Sequence, residues 1–304
     1  MDVLSDAIGA MRAGRPYSSL TAAESTWRMD FPAFEGARFH VVTAGRCRVT
    51  RAGEPAITLG PGDAVLFPHG TAHALENAAD GTAQIVCGAY RLDQARPHPL
   101  VQDLPDVVDL PARSDRYPGL TSSIALLRDE LLGQEPGKDV LLPALLDVLL
   151  VHLIRAWFTE RAGSQDTGWC VALGDQAISR SLRAMHEHPA DPWTVESLGA
   201  RAGLSRAAFA RRFASLVGLP PLTYLTWWRL TTAARLLRTT DAPLSAVARR
   251  SGYGSAYAFA NAFKREYGIP AGEYRRRRRT DHRHIAEWEP TSSGSQLTPV
   301  PEAR

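Results

Sequence analysis

Cysteine is scarce. Three among 304 residues (Cys47, Cys87 and Cys170) cannot all pair, which excludes a disulfide scaffold and fits a reducing compartment. The opening stretch MDVLSDAIGAMRAGRP lacks the long apolar core of a secretory signal and carries acids early, so a cytoplasmic location is expected. Val3, Leu4, Ile8 and Met11 instead suit a short amphipathic helix docking on the segment that follows. The chain shows no phosphate-binding glycine loop and no Ser/His/Asp arrangement, and no catalytic residue is assigned. Long hydrophobic runs are missing except over 140–160. There Pro143, Asp147, His152 and Arg155 argue against a membrane span, because charge in hydrocarbon is costly. An excess of either charge is also missing overall, with a formal net of +3.

That near-neutrality hides two opposed parts. Residues 171–279 hold 18 Lys+Arg against 7 Asp+Glu, a net of +11, whereas residues 1–170 hold 15 against 21, a net of −6. The basic part also spells one pattern twice. Residues 205–224 read SRAAFARRFASLVGLPPLTY and residues 255–274 read SAYAFANAFKREYGIPAGEY. At an offset of 50 they share a serine, two phenylalanines four apart (Phe209 and Phe213, Phe259 and Phe263), a Gly-aliphatic-Pro stop and a tyrosine (Tyr224, Tyr274). Ser205 and Ser255 read as N-caps, each Phe pair as a buried helical face, and Gly218 and Gly268 as helix ends. A shorter helix precedes each copy, over 194–202 and capped by Thr194 in the first case, and over 242–250 in the second. Gly203 and Gly252 mark the turns. Helix, glycine turn, helix is the unit whose second helix enters the DNA major groove.

Residues 175–274, down to the GIPAGEYR ending at Arg275, resemble the DNA-binding domain of the AraC/XylS family of transcription regulators. The resemblance implies double-stranded DNA as partner, with two recognition helices in successive major grooves. With the Phe pairs inside, the outward positions are Arg206, Ala207, Ala210 and Arg211 in the first helix and Ala256, Tyr257, Ala260 and Asn261 in the second; these coincide with the family's base-contacting positions. Arg211 suits guanine O6 and N7, Asn261 suits adenine N6 and N7, and Tyr257 and the alanines suit thymine methyls. Arg206, Arg212, Lys264 and Arg265 are better placed for phosphate, as is the run Arg275–Arg279.

Residues 20–92 change character. Short strand-like runs (39–43, 46–50, 64–67, 83–87) are punctuated by Gly, Pro and Asp, which means a sandwich or small barrel. Within them Gly62, Pro68, Gly70, His73 and Asn77 match every fixed position of the second cupin motif, so the segment resembles a cupin jelly roll. In metal-dependent cupins the first motif supplies two histidines and a glutamate. Here those places fall near Phe31, Ala33 and Arg38, leaving His73, with His40 nearby but out of register. One imidazole does not hold a transition metal, so the barrel is expected to be a metal-free, cofactor-free sensor and not an enzyme. A cupin metalloenzyme (oxygenase or isomerase) carrying a DNA-binding module is the alternative. Sensor candidates are His40, Cys47, His73 and Cys87. The region also resembles a sub-branch of AraC-family regulators in which some members sense hypochlorous acid through cysteine. Arg46 and Arg48 flank Cys47 and Arg91 lies near Cys87, while a strand cysteine also serves as a small core hydrophobe. A soft-metal set of His40, Cys47 and Cys87 is a further alternative.

Five prolines make 93–118 a loop, followed by helices over 120–132 and 140–160. The second is apolar on more than one side, which calls for burial against its own barrel and a second protomer. The expected fold is therefore two-domain α+β. Residues 1–118 form a cupin-like sensor, 119–162 a helical dimerisation pair, 163–172 a hinge, 173–279 the all-α tandem helix-turn-helix domain, and 280–304 a disordered tail. The reading is a homodimeric regulator, an activator by family habit and so a partner of RNA polymerase, controlled by a small molecule or oxidant.

Overall fold

The structure is a computed structural model and describes residues 2–11, 16–24, 26–78, 81–92, 98–112, 116–161, 168–280, 291–293 and 297–299. It divides into two compact units, each assembled from separated stretches of chain: Met1–Arg12, Asp93–Asp103 and Arg161–His284 in one, and Ala13–Leu92, Leu104–Glu160 and Ile285–Arg304 in the other.

The second unit is a barrel of two antiparallel sheets. After helix α1 (Val3–Met11) come β1 (Tyr17–Ala23), β2 (Arg28–Phe31), β3 (Gly36–Gly45), β4 (Cys47–Thr50), β5 (Ile57–Leu59), β6 (Ala64–Phe67), β7 (His73–Asn77) and β8 (Ala83–Arg91). Helix α2 (Pro99–Gln102) and strand β9 (Val108–Leu110) follow. One sheet runs β11-β1-β8-β3-β6-β9 and the other β10-β2-β7-β4-β5, where β10 is Thr291–Ser293 and β11 is Leu297–Pro299. Strand burial separates the two sheets. In β2 and β4 buried and open residues alternate, Met29, Phe31, Cys47 and Val49 facing in. Residues 36–42 of β3 are buried throughout, because that sheet is covered on its outer side as well. Helix α3 (Pro118–Leu132) touches β1 and β3 there. The motif glycine Gly70 turns the chain at φ +63, and a Cβ would lie 2.1 Å from the Phe34 carbonyl oxygen, so no other residue fits.

Two expectations need correction here. The proline-rich 93–118 segment is not all loop: Pro99 opens α2 at a first-turn position, where its missing N–H costs nothing, and Val108–Leu110 pairs with β6. In the tail, β10 and β11 add to the open edges of β2 and β1, where unpaired backbone groups await partners. Residues 281–290, 294–296 and 300–304 of the tail, and 163–167 of the expected hinge, lie outside the described residues.

Helix α4 (Lys138–Arg161) is long and apolar enough to cross a membrane by length and composition alone. Leu146, Leu149, Leu150, Leu153, Ile154, Ala156 and Trp157 are buried, whereas Val140, Leu141 and Val148 are exposed, as is Leu126 of α3. Glu160 ties the pair to the preceding loop, accepting from Tyr117 Oη at 2.6 Å.

The other unit is all helix: α5 (Trp169–Gly174), α6 (Gln176–Glu187), α7 (Val195–Ala202), α8 (Arg206–Val217), α9 (Pro221–Thr239), α10 (Leu244–Arg250), α11 (Ala256–Tyr267) and α12 (Ala271–Thr280). Two helices, α5 and α6, lead into the first helix-turn-helix. Asp175 stops α5 and caps α6, accepting from Ile178 N–H at 2.9 Å. Helix α1 packs on α6 and α9, burying Val3, Leu4, Ala7 and Ile8. Asp6 reaches His186 Nδ1 at 3.4 Å, and His186 Nε2 lies 2.7 Å from Tyr224 Oη. Helix α2 belongs to the same unit. Its cap His98 is buried edge-on against Trp169 and Trp227, at 4.8 and 4.7 Å between ring centroids. Asp103 accepts from Trp169 N–H at 2.9 Å.

Candidate nucleic-acid interface and barrel site

The twofold pattern in the sequence is a twofold pattern in space. Ser205 accepts from Ala208 N–H at 3.3 Å and Ser255 from Ala258 N–H at 3.1 Å, each starting a second helix. Gly218 and Gly268 end those helices in the left-handed region. Phe209, Phe213, Phe259 and Phe263 are wholly buried. Each repeat's tyrosine then sets its edge on the second Phe: Tyr224 lies 5.8 Å from Phe213, and Tyr274 5.3 Å from Phe263. Both turns use one hydrogen-bond pair, Gly203 N–H to Ala200 O with Leu204 N–H to Gly199 O, and Gly252 N–H to Arg249 O with Tyr253 N–H to Ala248 O. Gly254 makes the second turn one residue longer before its serine cap.

The opposite faces of α8 and α11 are open. Arg206, Ala207, Arg211 and Arg212 are exposed and Ala210 is half-buried; Ala256, Tyr257, Asn261, Lys264 and Arg265 are exposed and Ala260 is half-buried. Tyr257 retains 79 % of its surface, a heavy exposure for an aromatic ring. Arg212 is already engaged, its Nε donating to Asp175 at 2.7 Å, so it ties α8 to α6 at the edge of this face. Within the arginine run, Arg275 donates to the Ala242 carbonyl at 2.6 Å, Arg277 pairs with Glu273, and Arg276 is exposed. The side chains of Arg278 and Arg279 lie outside the described residues. Cationic, open second helices on two buried-aromatic frames define a protein that binds DNA through paired helix-turn-helix units.

Inside the barrel the sheet registers align a second set. Ser19, Cys87 and His40 are neighbours across β1, β8 and β3, and Tyr17, Ala89 and Arg38 form the next row. His40, out of register in the cupin motif, is in register with Cys87 and reaches the facing sheet. Its Nδ1 lies 3.0 Å from Cys87 Sγ and its Nε2 2.7 Å from His73 Nε2, while His73 Nδ1 lies 2.7 Å from the Thr71 carbonyl. These contacts fix the protons. A carbonyl only accepts, so His73 Nδ1 carries hydrogen and, in the neutral ring, His73 Nε2 accepts. His40 Nε2 must then donate, its Nδ1 accepts, and the Cys87 thiol donates. Burial favours the neutral rings, holding His73 down to about 3 and His40 well below its ordinary range.

The residues present do not fit a cupin metal. Phe31 occupies a first-motif ligand place and stacks on His73 at 5.1 Å, and Phe67 stacks on the same ring at 3.7 Å. Arg38, at another ligand place, puts a buried cation where a metal ion would need an anion. Nor does the soft-metal set assemble: His40 bonds Cys87 and His73, and among the described residues no group of three or more His, Cys, Asp or Glu is arranged to hold a metal. Cys47 packs in the barrel core, and burial pushes its thiol up to about 12. Its expected activator Arg48 is turned outward to Glu76 at 3.5 Å. For Cys87 the facing cation is Arg38 and not the expected Arg91; burial nevertheless pushes this thiol up to about 12. Sequence reasoning missed Arg38 as a site residue. The signal was present, since Arg38 and His40 share a strand face with Val42 in a run with no solvent side.

Residues 2–159 match the cupin family and residues 198–277 a helix-turn-helix domain family. The chain is 31 % identical over 301 residues to a putative AraC-like transcription regulator of Streptomyces antibioticus, covering 91 % of this chain and 99 % of that one. It is 32 % identical over 257 residues to the RCS-specific HTH-type transcriptional activator RclR of Escherichia coli, covering 83 % and 89 %. Among solved structures, the DNA-binding domain of AdpA in complex with a target DNA is 37 % identical, covering 35 % of this chain and 95 % of that one, with a TM-score of 0.33. The chain belongs to the AraC-like family of transcription regulators. It carries a cupin half and a helix-turn-helix half, and it is a DNA-binding transcription regulator.

Proposed function

We propose that this regulator is a cytoplasmic, sequence-specific activator, working as a homodimer under the control of a small effector received in the barrel. The observation that carries the reading is the pair of open faces on α8 and α11, basic and polar opposite four buried phenylalanines. Arg211, Tyr257 and Asn261 read base edges, the alanines pack on thymine methyls, and Arg206, Lys264, Arg265 and Arg276 hold phosphate, with Arg212 shared with Asp175. Selection of bound duplexes from a random pool tests this. Arg211→Ala relaxes preference at one base pair, at a cost of about 1–3 kcal/mol there. Arg276→Ala weakens all sequences alike and lowers the salt slope by about one. An unchanged preferred motif in Arg211→Ala removes that residue from base reading.

The dimer reading rests on the exposed apolar side chains Leu126, Val140, Leu141 and Val148 of α3 and α4. Leu141→Asp combined with Val148→Asp gives a monomer by sedimentation, with the helices still formed. Dimers that persist in this variant would place the interface elsewhere.

A small molecule suits the barrel better than an oxidant. Cys87 is buried and its proton is held by His40, so little thiolate is present to react. Hypochlorite titration with operator binding as readout tests the choice, since oxidant sensing predicts a response that Cys87→Ser lacks. A metalloenzyme reading has less support, because Phe31, Ala33 and Arg38 stand where cupin ligands fall.

A further inference from the structure

Arg38 is an oddity of the barrel. Its side chain is among the largest fully buried ones, at 2 % exposure, yet it faces no carboxylate among the described residues. The guanidinium lies over the Phe31 and Phe34 rings, at 4.9 and 4.4 Å to the centroids. Nη1 donates to the Pro32 carbonyl in a long 3.3 Å bond, and Nη2 has no hydrogen-bond partner. Burial lowers its pKa only to about 10, so it stays charged at neutral pH. A buried cation with an unsatisfied donor is destabilising unless something pairs with it.

The same guanidinium lines a pocket on the inner face of the six-stranded sheet. Tyr17, Ser19 and Thr21 of β1, Cys87, Gly88 and Ala89 of β8, and Phe31 complete its wall. These residues are small, hydroxylic or apolar, and none supplies negative charge at neutral pH.

We propose that this pocket is an anion site built on Arg38, and that it takes a small monocarboxylate whose carboxylate pairs with the guanidinium. Ser19 and Thr21 offer hydroxyl donors beside it, and the Phe31 ring and Ala89 receive a short apolar body. The planar edge of a guanidinium matches a carboxylate better than a halide. The pocket is small, which favours a chain of a few carbons over a bulky ligand.

This inference rests on the reading of the barrel as an effector site, and it names the chemistry of that effector. The test uses the full-length protein without DNA, with sodium butyrate as probe. Butyramide is the uncharged control, and sodium chloride is matched for ionic strength. Butyrate raises the melting temperature and gives a saturable calorimetric isotherm, while butyramide and chloride do neither. Arg38→Met loses butyrate binding at least tenfold and, free of ligand, unfolds at a higher urea concentration than the parent, as relief of a buried unpaired charge requires. Ser19→Leu, which fills the pocket from β1 and leaves Arg38 in place, also loses binding, and it decides the matter if Arg38→Met does not fold. Equal responses to butyrate and butyramide, or full binding by the variant with a filled pocket, overturn the site. Operator footprints with and without butyrate are read separately. Binding without a change of footprint keeps the anion site and faults the effector reading instead.

Discussion

Phe263→Ala is expected to cost about 3–5 kcal/mol, the range for removing a large ring from a close-packed core. The ring is fully buried, stacks on Tyr267 at 4.4 Å and meets Phe259 at 5.5 Å and Tyr274 at 5.3 Å. Truncation therefore removes the centre of a four-ring cluster under α11 and leaves a cavity that rigid helices do not close. A domain's whole stability is about 5–15 kcal/mol, so the second helix-turn-helix unit loses its frame near physiological temperature. Specific DNA binding falls with it, and the protected footprint contracts toward the half contacted by α8. Phe209→Ala gives the mirror result. Arg265→Ala, on the exposed face of α11, changes stability by no more than about 0.5 kcal/mol while weakening DNA binding. Urea unfolding of the three variants, followed by footprinting, checks the contrast. A full-length footprint for Phe263→Ala would falsify the proposed division of faces.

Acid is expected to unfold the barrel earlier than its carboxylates alone require. His40 and His73 are buried and neutral, with folded pKa values pushed below the ordinary 6.5, to about 3 for His73. In the unfolded chain both rings take up protons below about pH 6.5. The unfolded state then binds more protons than the folded state, so stability falls as pH falls. Each histidine contributes up to about 1.4 kcal/mol per pH unit, or about 2.7 together, until the folded rings themselves protonate. Above pH 7 the two contribute no slope. Urea midpoints at pH 7, 6 and 5 measure this, and the double variant His40→Leu/His73→Phe removes these two rings' share of the slope, leaving that of His98 and His186, which burial also holds below the ordinary range. A parent midpoint flat from pH 7 to 5 would show that the two rings are not held neutral.

Much of the DNA-binding half was legible in the sequence, because its signals are local. A serine cap, two phenylalanines four apart, a glycine stop and a tyrosine each act within a turn or two of helix, and repetition at a fixed offset doubles their weight. The second cupin motif was legible for the same reason: Gly70 has one conformational option, and it sits at a fixed distance from His73. The contacts that make the barrel site are non-local. His40 meets Cys87 across 47 positions and His73 across 33, through strand registers that a run such as ARFHVV does not specify. Arg38 was noticed only as a missing metal ligand, since a charge within a strand ordinarily reads as a solvent-facing residue. The docking of α1 on α6 and α9 was not legible on the same ground. Its apolar stripe shows that it packs, whereas its partner is set by tertiary structure.

That partner has a consequence for how the polypeptide matures on the ribosome. Helix α1 is synthesised before β1 to β9, yet the surfaces it covers belong to α6 and α9, which begin at Gln176 and Pro221. Helix α1 must therefore wait, its apolar stripe uncovered, while β1 to β9 are translated. The DNA-reading half closes over α1 only once α9 has been made. No single cut between the halves separates them cleanly: a fragment starting at residue 173 lacks α1, α2 and Trp169, and reaches solution with their seats bare.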